Sequence, residues 1–386
     1  MTDHAWANAQ FVARPLARPW RSKMQPTLVS STSRMVVAAG PDIYAYNFRG
    51  ATDMESPSLH FEGKFSFPAS QGKPKDITGI TFAGDAGMDQ TLYVGIQDGT
   101  VHRVVLPIEP PRRSRNSLAA TSSNMTCSHF SQLHSGDFVE SLRSEKNLLL
   151  SLTSTGRATL TDLQSPDNLP AHVQLNARSW TSLLSLNSSS PYAAFGVSST
   201  YPLRVHSITN GQISPTPSAI LHTNISVERP RSSAVYGISQ APPASPWGSS
   251  PQVLVSGWFD GQVSCHDLRA SSRSMASTDF PGAPAPLHPV LSLNDPLQLE
   301  SIYSVSCGGG SASHIAAGSA RHSVVSFWDV RYPRSGWSVH APGNDPSPVY
   351  SIILESSRLY GATQSRPFVY DFVSIDPCTL GVYFSC

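Results

Sequence analysis

A hairpin-like pattern recurs along this chain of 386 residues, and the recurrence restricts the fold more than any other feature. The two clearest copies are "SGWFDGQVSCHDLR" at 256–269 and "HIAAGSARHSVVSFWDVR" at 314–331. Each has a turn, an alternating stretch, and an Asp followed two residues later by Arg. Because self-similarity at a regular spacing marks a repeat architecture, the repeats have to be identified before any single motif is interpreted. Five further copies lie at 34–48, 91–106, 147–163, 192–208 and 358–372.

A segment in which apolar and polar residues alternate precedes each hairpin and predicts one more strand per repeat. Examples are "ITGITFA" at 77–83, "AVYGISQ" at 234–240 and "SIYSVSCG" at 301–308. A less regular fourth strand completes a four-stranded sheet. One such sheet cannot bury both of its faces, whereas seven stacked around an axis can, with only short edges left. The sequence therefore predicts an all-β fold, a seven-bladed β-propeller with four-stranded antiparallel blades.

The predicted propeller spans residues 26–386, with long loops near 106–136 and 270–296. Both loops are rich in Pro and Ser, which favours excursions between strands. Residues 1–25 form an N-terminal extension that can donate a strand to the last blade. "QFVARPL" at 10–16 is the candidate for this closing strand, and "GVYFSC" at 381–386 competes for the same position.

The hairpins also carry the residue types that such blades need. Asp98-Gly99 and Asp260-Gly261 suit tight turns, because Gly adopts the positive φ that these turns require. The copy at 314–331 ends its alternating stretch in Trp328-Asp329, and at these residues the chain resembles the WD-repeat family of β-propellers. Trp328 is then expected to pack between blades. Acceptors of hydrogen bonds at the blade edges are expected at Asp329 and, in degenerate copies of the dipeptide, at Asp162, Asp267 and Asp371.

Two segments resemble a narrower group, the F-box/WD-repeat proteins of the dactylin type. They are 23–50, which is similar to the first blade of that group, and 347–372, which is similar to its last blade. The resemblance implies a substrate receptor of a cullin-RING ubiquitin ligase. Members of that group carry an F-box before the propeller, and the segment before Pro26 is too short for its three helices. Either the reading frame starts late or the ligase-docking module is missing.

The sequence contains no motif that predicts catalysis, a metal site or a cofactor. "CGGGSASH" at 307–314 lacks the Lys-Ser/Thr of a phosphate-binding loop and is interpreted as a turn. The five cysteines include no CxxC pair, which predicts free thiols in a reducing compartment, with a structural metal or a disulfide as alternatives. A Ser-His-Asp triad stays open, because triads assemble in space and cannot be recognised from sequence order.

Two surfaces are candidates for partner binding. We call the side that carries the turns between the second and third strands the turn face, and the other side the opposite rim. Exposed aromatic residues and Arg dominate binding energy at interfaces, so the turn face is the first candidate. Its predicted binding residues are Trp258, Phe259, Asp260, Arg321, His322 and Arg366. For Trp258, the alternative to partner binding is packing inside the fold.

The opposite rim carries Arg269 and Arg331, each two residues after a blade Asp. The tetrapeptides 266–269 and 328–331 resemble the WDxR motif of receptors that dock on a cullin-4 ligase adaptor, which implies that these Arg residues contact the adaptor. The alternative is a local salt bridge or a solvated side chain.

These observations predict a non-catalytic protein-interaction scaffold, most specifically a substrate receptor or adaptor of a cullin-RING ubiquitin ligase. The alternatives are a scaffold in trafficking, RNA processing or chromatin complexes, and a propeller enzyme that uses the central channel. The net charge of +1 gives no nucleic-acid footprint, and no apolar run is long enough to span a membrane. The expected partners are other proteins, the expected state is a monomer within a complex, and the expected location is the cytoplasm, the nucleus or both.

Overall fold

The strands of the protein were located in a computed structural model that describes residues 6, 9–49, 58–67, 74–107, 125–132, 136–165, 169–223, 231–246, 249–273, 280, 282–295, 299–343 and 345–372. The fold is all-β, as the alternating segments predict. In these residues no helix is long and apolar enough to cross a membrane. In chain order the strands are β1 (Val12–Pro15), β2 (Thr27–Ser30), β3 (Arg34–Ala39), β4 (Asp42–Arg49), β5 (Ser58–Ser66), β6 (Ile77–Phe82), β7 (Thr91–Ile96), β8 (Thr100–Val105), β9 (Thr126–Gln132), β10 (Val139–Glu145), β11 (Leu148–Thr153), β12 (Arg157–Asp162), β13 (Ala171–Gln174), β14 (Ser179–Ser185), β15 (Tyr192–Ser199), β16 (Leu203–Thr209), β17 (Gln212–Ile213), β18 (Ala219–Leu221), β19 (Ser233–Gln240), β20 (Val253–Trp258), β21 (Val263–Asp267), β22 (Leu291–Leu293), β23 (Ile302–Gly308), β24 (His314–Ser319), β25 (Val324–Asp329), β26 (Trp337–His340), β27 (Val349–Glu355), β28 (Arg358–Thr363) and β29 (Pro367–Asp371).

The strands of the described residues pair antiparallel into groups of four that follow one another along the chain, except for one group of five. The group of five and the group of four after it are joined into a nine-stranded sheet by only two residue pairs, Ser198 with Ala234 and Ser199 with Ser233. We number the groups as units in chain order. Unit 1 is β2–β5, unit 2 is β6–β9, unit 3 is β10–β13, unit 4 is β14–β18, unit 5 is β19–β22, unit 6 is β23–β26, and unit 7 is β27–β29 together with β1.

Each predicted hairpin is present as the second and third strands of a unit. In unit 5, Val253–Val255 lies fully buried in β20, and Gly261 makes the turn to β21 with a φ of +83°. Gly99 makes the equivalent turn in unit 2, also with a φ of +83°. The turn chemistry inferred from the Asp-Gly pairs is therefore confirmed, since both glycines adopt the left-handed backbone.

The hydrophobic core lies between successive units, because each sheet buries one face against the preceding unit and the other against the next. Trp328 of unit 6 shows this, since it packs with Val255 and Val263 of unit 5. Trp258 of unit 5 packs in turn with Leu203 of unit 4. A sheet buried on both faces suits the continuous apolar runs of the second strands, which do not alternate.

Close approach between units depends on glycines in the second strands. A Cβ at Gly257 of unit 5 would lie 2.5 Å from Cγ2 of Ile302 in unit 6, and one at Gly95 of unit 2 would lie 2.5 Å from Cγ1 of Val139 in unit 3. The first strands of consecutive units touch, from β2 with β6 through to β23 with β27, and β27 also contacts β2.

The N-terminal segment is part of unit 7. β1 pairs antiparallel with β29, from Val12 opposite Asp371 to Pro15 opposite Phe368. Upstream of β1, the buried ring of Trp6 stacks on Phe372 with ring centroids 3.5 Å apart. The segment 10–16 therefore provides the fourth strand of this sheet, and the competing segment 381–386 lies outside the described residues.

The two predicted long loops each contain a strand. β9 lies within 106–136, of which residues 108–124 and 133–135 lie outside the description. β22 lies within 270–296 and pairs with β21.

Candidate protein-binding surface

Aromatic residues occupy the same position in the first strands of four consecutive units. The pairing register of β14, β19, β23 and β27 with the strand that follows each of them shifts by one residue near its start. The residue at the shift is Trp180 in β14, Tyr236 in β19, Tyr303 in β23 and Tyr350 in β27. Because a β-bulge re-aims the side chain of its extra residue, all four can turn out of the regular pleat. We call these four residues the aromatic row.

The aromatic row is continuous across the units. Ring centroids are 5.0 Å apart between Trp180 and Tyr236, 5.1 Å between Tyr236 and Tyr303, and 5.8 Å between Tyr303 and Tyr350. All four side chains are half-buried. Phe259, in the turn between β20 and β21, lies 6.5 Å from Tyr236 and is 56% exposed. The row therefore combines fixed aromatic rings with surface that a partner can cover.

A cation covers one end of the aromatic row. The guanidinium of Arg178 lies 4.0 Å from the ring centroid of Trp180, and its Nη1 donates to Oε2 of Glu140 at 2.8 Å. The indole Nε1 of Trp180 donates to Oγ of Ser198 at 2.7 Å. Burial raises the pKa of Glu140, and Arg178 opposes this rise without reversing it. Trp180 is thus held in one orientation from both sides.

The other end of the row adjoins a groove of about 590 Å³. Gln364 lines this groove, and its Nε2 donates to the hydroxyl of Tyr350 at 3.3 Å. Its walls come from the N-terminal segment 20–23 and from the turns of units 6 and 7. Arg321 reaches the groove while its Nε lies 3.7 Å from Oε2 of Glu300, and its side chain is largely exposed. The predicted residue Arg321 is therefore accessible beside the row.

Trp258 is not accessible. Its side chain is 0% exposed, and its Nε1 donates to the buried Oγ of Ser256 at 2.9 Å. The expectation of an exposed indole at this position is wrong, and packing inside the fold, the alternative weighed above, is what the structure has. The physical reason is that β20 is covered on both faces by neighbouring units, so its last residue has no free side.

The remaining predicted residues of the turn face lie in exposed or half-buried turns. Asp260 is exposed, and its Oδ1 accepts from the backbone N–H of Gln262 at 3.3 Å, which is turn chemistry. His322 is exposed and has a left-handed backbone with φ +60°. Arg366 is half-buried and packs against Gly343, where a Cβ would lie 2.9 Å from its Nη2. Among the described residues, no hydrogen bond, ion pair or ring contact joins any of these three to the aromatic row.

On the opposite rim, Arg269 and Arg331 fold back onto the Asp two residues before them. Nε and Nη2 of Arg269 donate to the two carboxylate oxygens of Asp267 at 2.9 and 2.8 Å. Arg331 binds Asp329 in the same way, with Nη2 at 2.6 Å from Oδ2. The hydrogen bond from Arg269 lowers the pKa of Asp267. The local salt bridge, one of the two alternatives for these residues, is therefore present at both positions.

The other blade Asp residues also accept hydrogen bonds at the ends of third strands. Oδ1 of Asp162 accepts from Nδ2 of Asn147 at 2.9 Å. Oδ2 of Asp371 accepts from Nε of Arg358 at 2.9 Å and lies 3.8 Å from Nη2 of Arg14 in β1. In each case the donor lies at or next to the start of the second strand, so the contact ties two strands of one unit together.

The described part of the chain holds no group of three His, Cys, Asp or Glu side chains that could bind a metal ion. Cys127, Cys265 and Cys307 are free thiols, while Cys378 and Cys386 lie outside the description. No protein-family model matches the chain, and no curated protein matches it at a significant level.

The aromatic row was not predicted from the sequence, although the sequence contains a signal for it. The strands "WTSLLSL", "AVYGISQ", "SIYSVSCG" and "VYSIILES" each carry one aromatic residue near their start. Aligning these strands on that residue places Trp180, Tyr236, Tyr303 and Tyr350 at one position of the repeat. The hairpins themselves do not show this position, because the aromatic residues lie in the strands that precede them.

Proposed function

We propose that the protein is a non-catalytic protein-interaction scaffold built on a closed, seven-bladed β-propeller. Seven successive units of four or five antiparallel strands, contacts between all neighbouring first strands, and the contact of β27 with β2 support closure. The pairing of β1 with β29 supports it as well, since a strand from the chain start in the last sheet joins the two ends of the ring. Such a rigid ring leaves function to the loops and strand ends on its faces.

The aromatic row carries the proposal of a binding surface. Tyr and Trp supply large contact areas at a small cost in conformational entropy, and their polar atoms can bond a partner. Here the rings are held in place by one another, by Arg178 and by Gln364. The partner is a protein segment that covers Tyr236, Tyr303 and Phe259.

Affinity capture of the full chain, followed by mass spectrometry, tests this surface. The variant Tyr236→Ala/Tyr303→Ala removes the centre of the row. Phe61→Ala is the control, because Phe61 is an exposed aromatic residue on β5 of unit 1, which carries no member of the aromatic row. We expect proteins that the wild type and the control capture to be lost from the double variant. Capture of the same proteins by all three chains would place binding elsewhere, and no specific capture by the wild type would contradict a scaffold.

A more specific candidate is a substrate receptor or adaptor of a cullin-RING ubiquitin ligase. The observation that favours it is the matched geometry of the Asp267–Arg269 and Asp329–Arg331 pairs on adjacent units. Each pair fixes a half-exposed guanidinium on the opposite rim, where a docking partner can reach it. In the same capture experiment, recovery of an F-box-binding or cullin-4-type adaptor, and its loss from Arg269→Ala/Arg331→Ala, is expected. Recovery of neither adaptor rejects the ligase role and leaves the scaffold proposal standing.

A further inference from the structure

A small pocket lies away from the aromatic row, where units 3, 4 and 5 meet. Its volume is about 270 Å³, below the roughly 300–1,000 Å³ of pockets that enclose drug-sized ligands. Arg204 and His206 of β16 line it from unit 4, and Leu175 lines it from the residue after β13 of unit 3. Phe280, from the segment between β21 and β22, forms another wall. The pocket therefore fits one chemical group and not a folded partner.

Arg204 brings a positive charge to this pocket that no acidic side chain neutralises in the described part of the chain. The residue is 6% exposed, and none of the ion pairs of the described residues includes it. Burial lowers its pKa to about 10, so it stays protonated at neutral pH. A buried charge without a partner is strongly unfavourable. A bound anion would remove this cost.

The guanidinium of Arg204 also has N–H donors that make no hydrogen bond within the described residues. Nη1 donates to the carbonyl of Leu175 at 2.8 Å, Nε to the carbonyl of Tyr201 at 3.2 Å, and Nη2 to Oγ of Ser199 at 3.2 Å. A guanidinium has five N–H groups, so one donor on each Nη remains after these three bonds. Cζ of Arg204 lies 4.6 Å from the ring centroid of Phe280. The two remaining donors, one on each Nη, match the oxygens of a phosphate or carboxylate.

His206 distinguishes between these two ligands. It is 2% exposed, its Nδ1 lies 2.8 Å from the carbonyl of Ser214, and its Nε2 has no hydrogen-bond partner among the described residues. Since only an N–H can bind that carbonyl, Nδ1 is the donor, and Nε2 of the neutral ring is an acceptor. Burial lowers the pKa of His206, and Arg204 lowers it further, although the bond to Ser214 opposes both, so the neutral ring is favoured. Nε2 therefore requires a donor from the ligand.

We propose that this pocket binds a phosphate group that retains one proton. Its anionic oxygens accept from the two free N–H groups of Arg204, and its O–H donates to Nε2 of His206. Phosphate meets both requirements near neutral pH because its second ionisation lies in that range. The exposed residues Gln174 and Asn176 stand at the mouth, where the rest of a phosphate monoester would leave the pocket. The site is independent of the aromatic row and of the function proposed for it.

Thermal unfolding and calorimetric titration of the full chain with inorganic phosphate, at about pH 7 and constant ionic strength, test the proposal. We expect a saturable rise in Tm and a binding isotherm for the wild type. Arg204→Gln should weaken binding by about tenfold or more, since it removes a charge-assisted pair of hydrogen bonds. Sulfate carries no proton under these conditions and should bind more weakly than phosphate. Acetate, which is also unprotonated, should behave like sulfate.

Two further variants keep the test decisive. Arg103→Gln removes the same charge from an exposed position on β8 and should bind phosphate like the wild type. His206→Asn should lose the preference for phosphate over sulfate, which a purely structural role of His206 would not produce. Because Arg204→Gln loses three hydrogen bonds as well as a buried charge, the rise in Tm of each variant is measured against its own phosphate-free Tm. Absence of saturable binding by the wild type, or equal binding by Arg204→Gln, would overturn the proposal. Sulfate binding as tight as phosphate would overturn the role of Nε2.

Discussion

The junction between units 5 and 6 contains two regions of opposite character. At its centre, Gly257 and Trp328 are enclosed by the sheets on both sides. At the turn face, Tyr236, Tyr303 and Phe259 form a surface that is only half covered. The difference separates two tasks: the enclosed residues set the distance between sheets, and the aromatic residues at the strand ends are left for contact with a partner.

This separation predicts which substitutions should change stability and which should change binding. A residue enclosed by both units loses its contacts only when the units separate, so its removal leaves a cavity or forces them apart. A residue at the strand end can be truncated at little cost to the fold, because solvent replaces it. The following predictions test this contrast, from the largest expected change in the free energy of unfolding to the smallest.

Trp328→Ala should give the largest effect. The indole is almost fully buried among residues of units 5 and 6, and its loss should lower the free energy of unfolding by about 3–5 kcal/mol. Chemical denaturation followed by tryptophan fluorescence and circular dichroism measures the change. Trp337→Ala is the control, since Trp337 is only half-buried on the fourth strand of the same unit. A smaller effect for Trp328 than for Trp337 would contradict a core between units 5 and 6.

Gly257→Ala should lower the free energy of unfolding by about 1–3 kcal/mol, since the new methyl group meets Ile302 at 2.5 Å. The double variant Gly257→Ala/Ile302→Ala should be less destabilised than the sum of the two single variants, because it removes Cγ2 of Ile302 at the point of contact. Gly211→Ala is not a suitable control, because Gly211 has a positive φ. Unchanged stability of the single variant would mean that the two units are less closely apposed than described.

Phe259→Ala should change the free energy of unfolding by no more than about 0.5 kcal/mol, because its ring is mostly exposed. Its binding to a partner of the turn face should weaken by about tenfold, as expected for an aromatic contact at an interface. Phe61→Ala serves as the control with similar exposure and should bind normally. Surface plasmon resonance with a captured partner measures the affinity of both variants. Equal affinities of the two variants would remove Phe259 from the binding surface.

Arg331→Ala should have the smallest effect, about 0.2 kcal/mol, because the Arg331 side chain is 42% exposed and the pair is screened by solvent. Burial raises the pKa of Asp329, but the hydrogen bonds from Arg331 outweigh it, and the pKa falls below its ordinary value of 3.8. A lowered pKa stabilises the fold above that value and loses this contribution as pH falls through the folded-state pKa. The difference between variant and wild type should therefore shrink on acidification below about pH 4 in urea denaturation. A difference that grows instead would reverse the assigned sign.

Much of the fold was predictable because its signals are local. The hairpin at 314–331 shows its turn, its alternation and its closing Trp-Asp within eighteen residues, and each feature reflects the geometry of one strand pair. The strand at 10–16 was also visible as an apolar segment without a partner. Its place beside β29 depended on the two chain ends meeting, and sequence offered a second segment for the same place.

The candidate site was less predictable, and the residues Trp258 and Phe259 show why. They are neighbours in sequence and both are aromatic, yet one is fully buried and the other mostly exposed. In β20 both faces are covered, so apolar character carries no information about which side a residue occupies. Only the positions of units 4 and 6 relative to this strand decide that Trp258 lies inside.

The sequence by itself determined the all-β character, the order of the strands and the turns between them, because period-2 alternation and Asp-Gly turns depend on neighbouring residues along the chain. The tertiary structure alone decided that Tyr236 and Tyr303 meet across two units and that Arg204 faces a pocket whose described lining residues include no carboxylate. These arrangements join residues far apart in the chain, and they depend on bulges and on the spacing of whole sheets. No local pattern encodes that spacing, since it results from the packing of each sheet against the next.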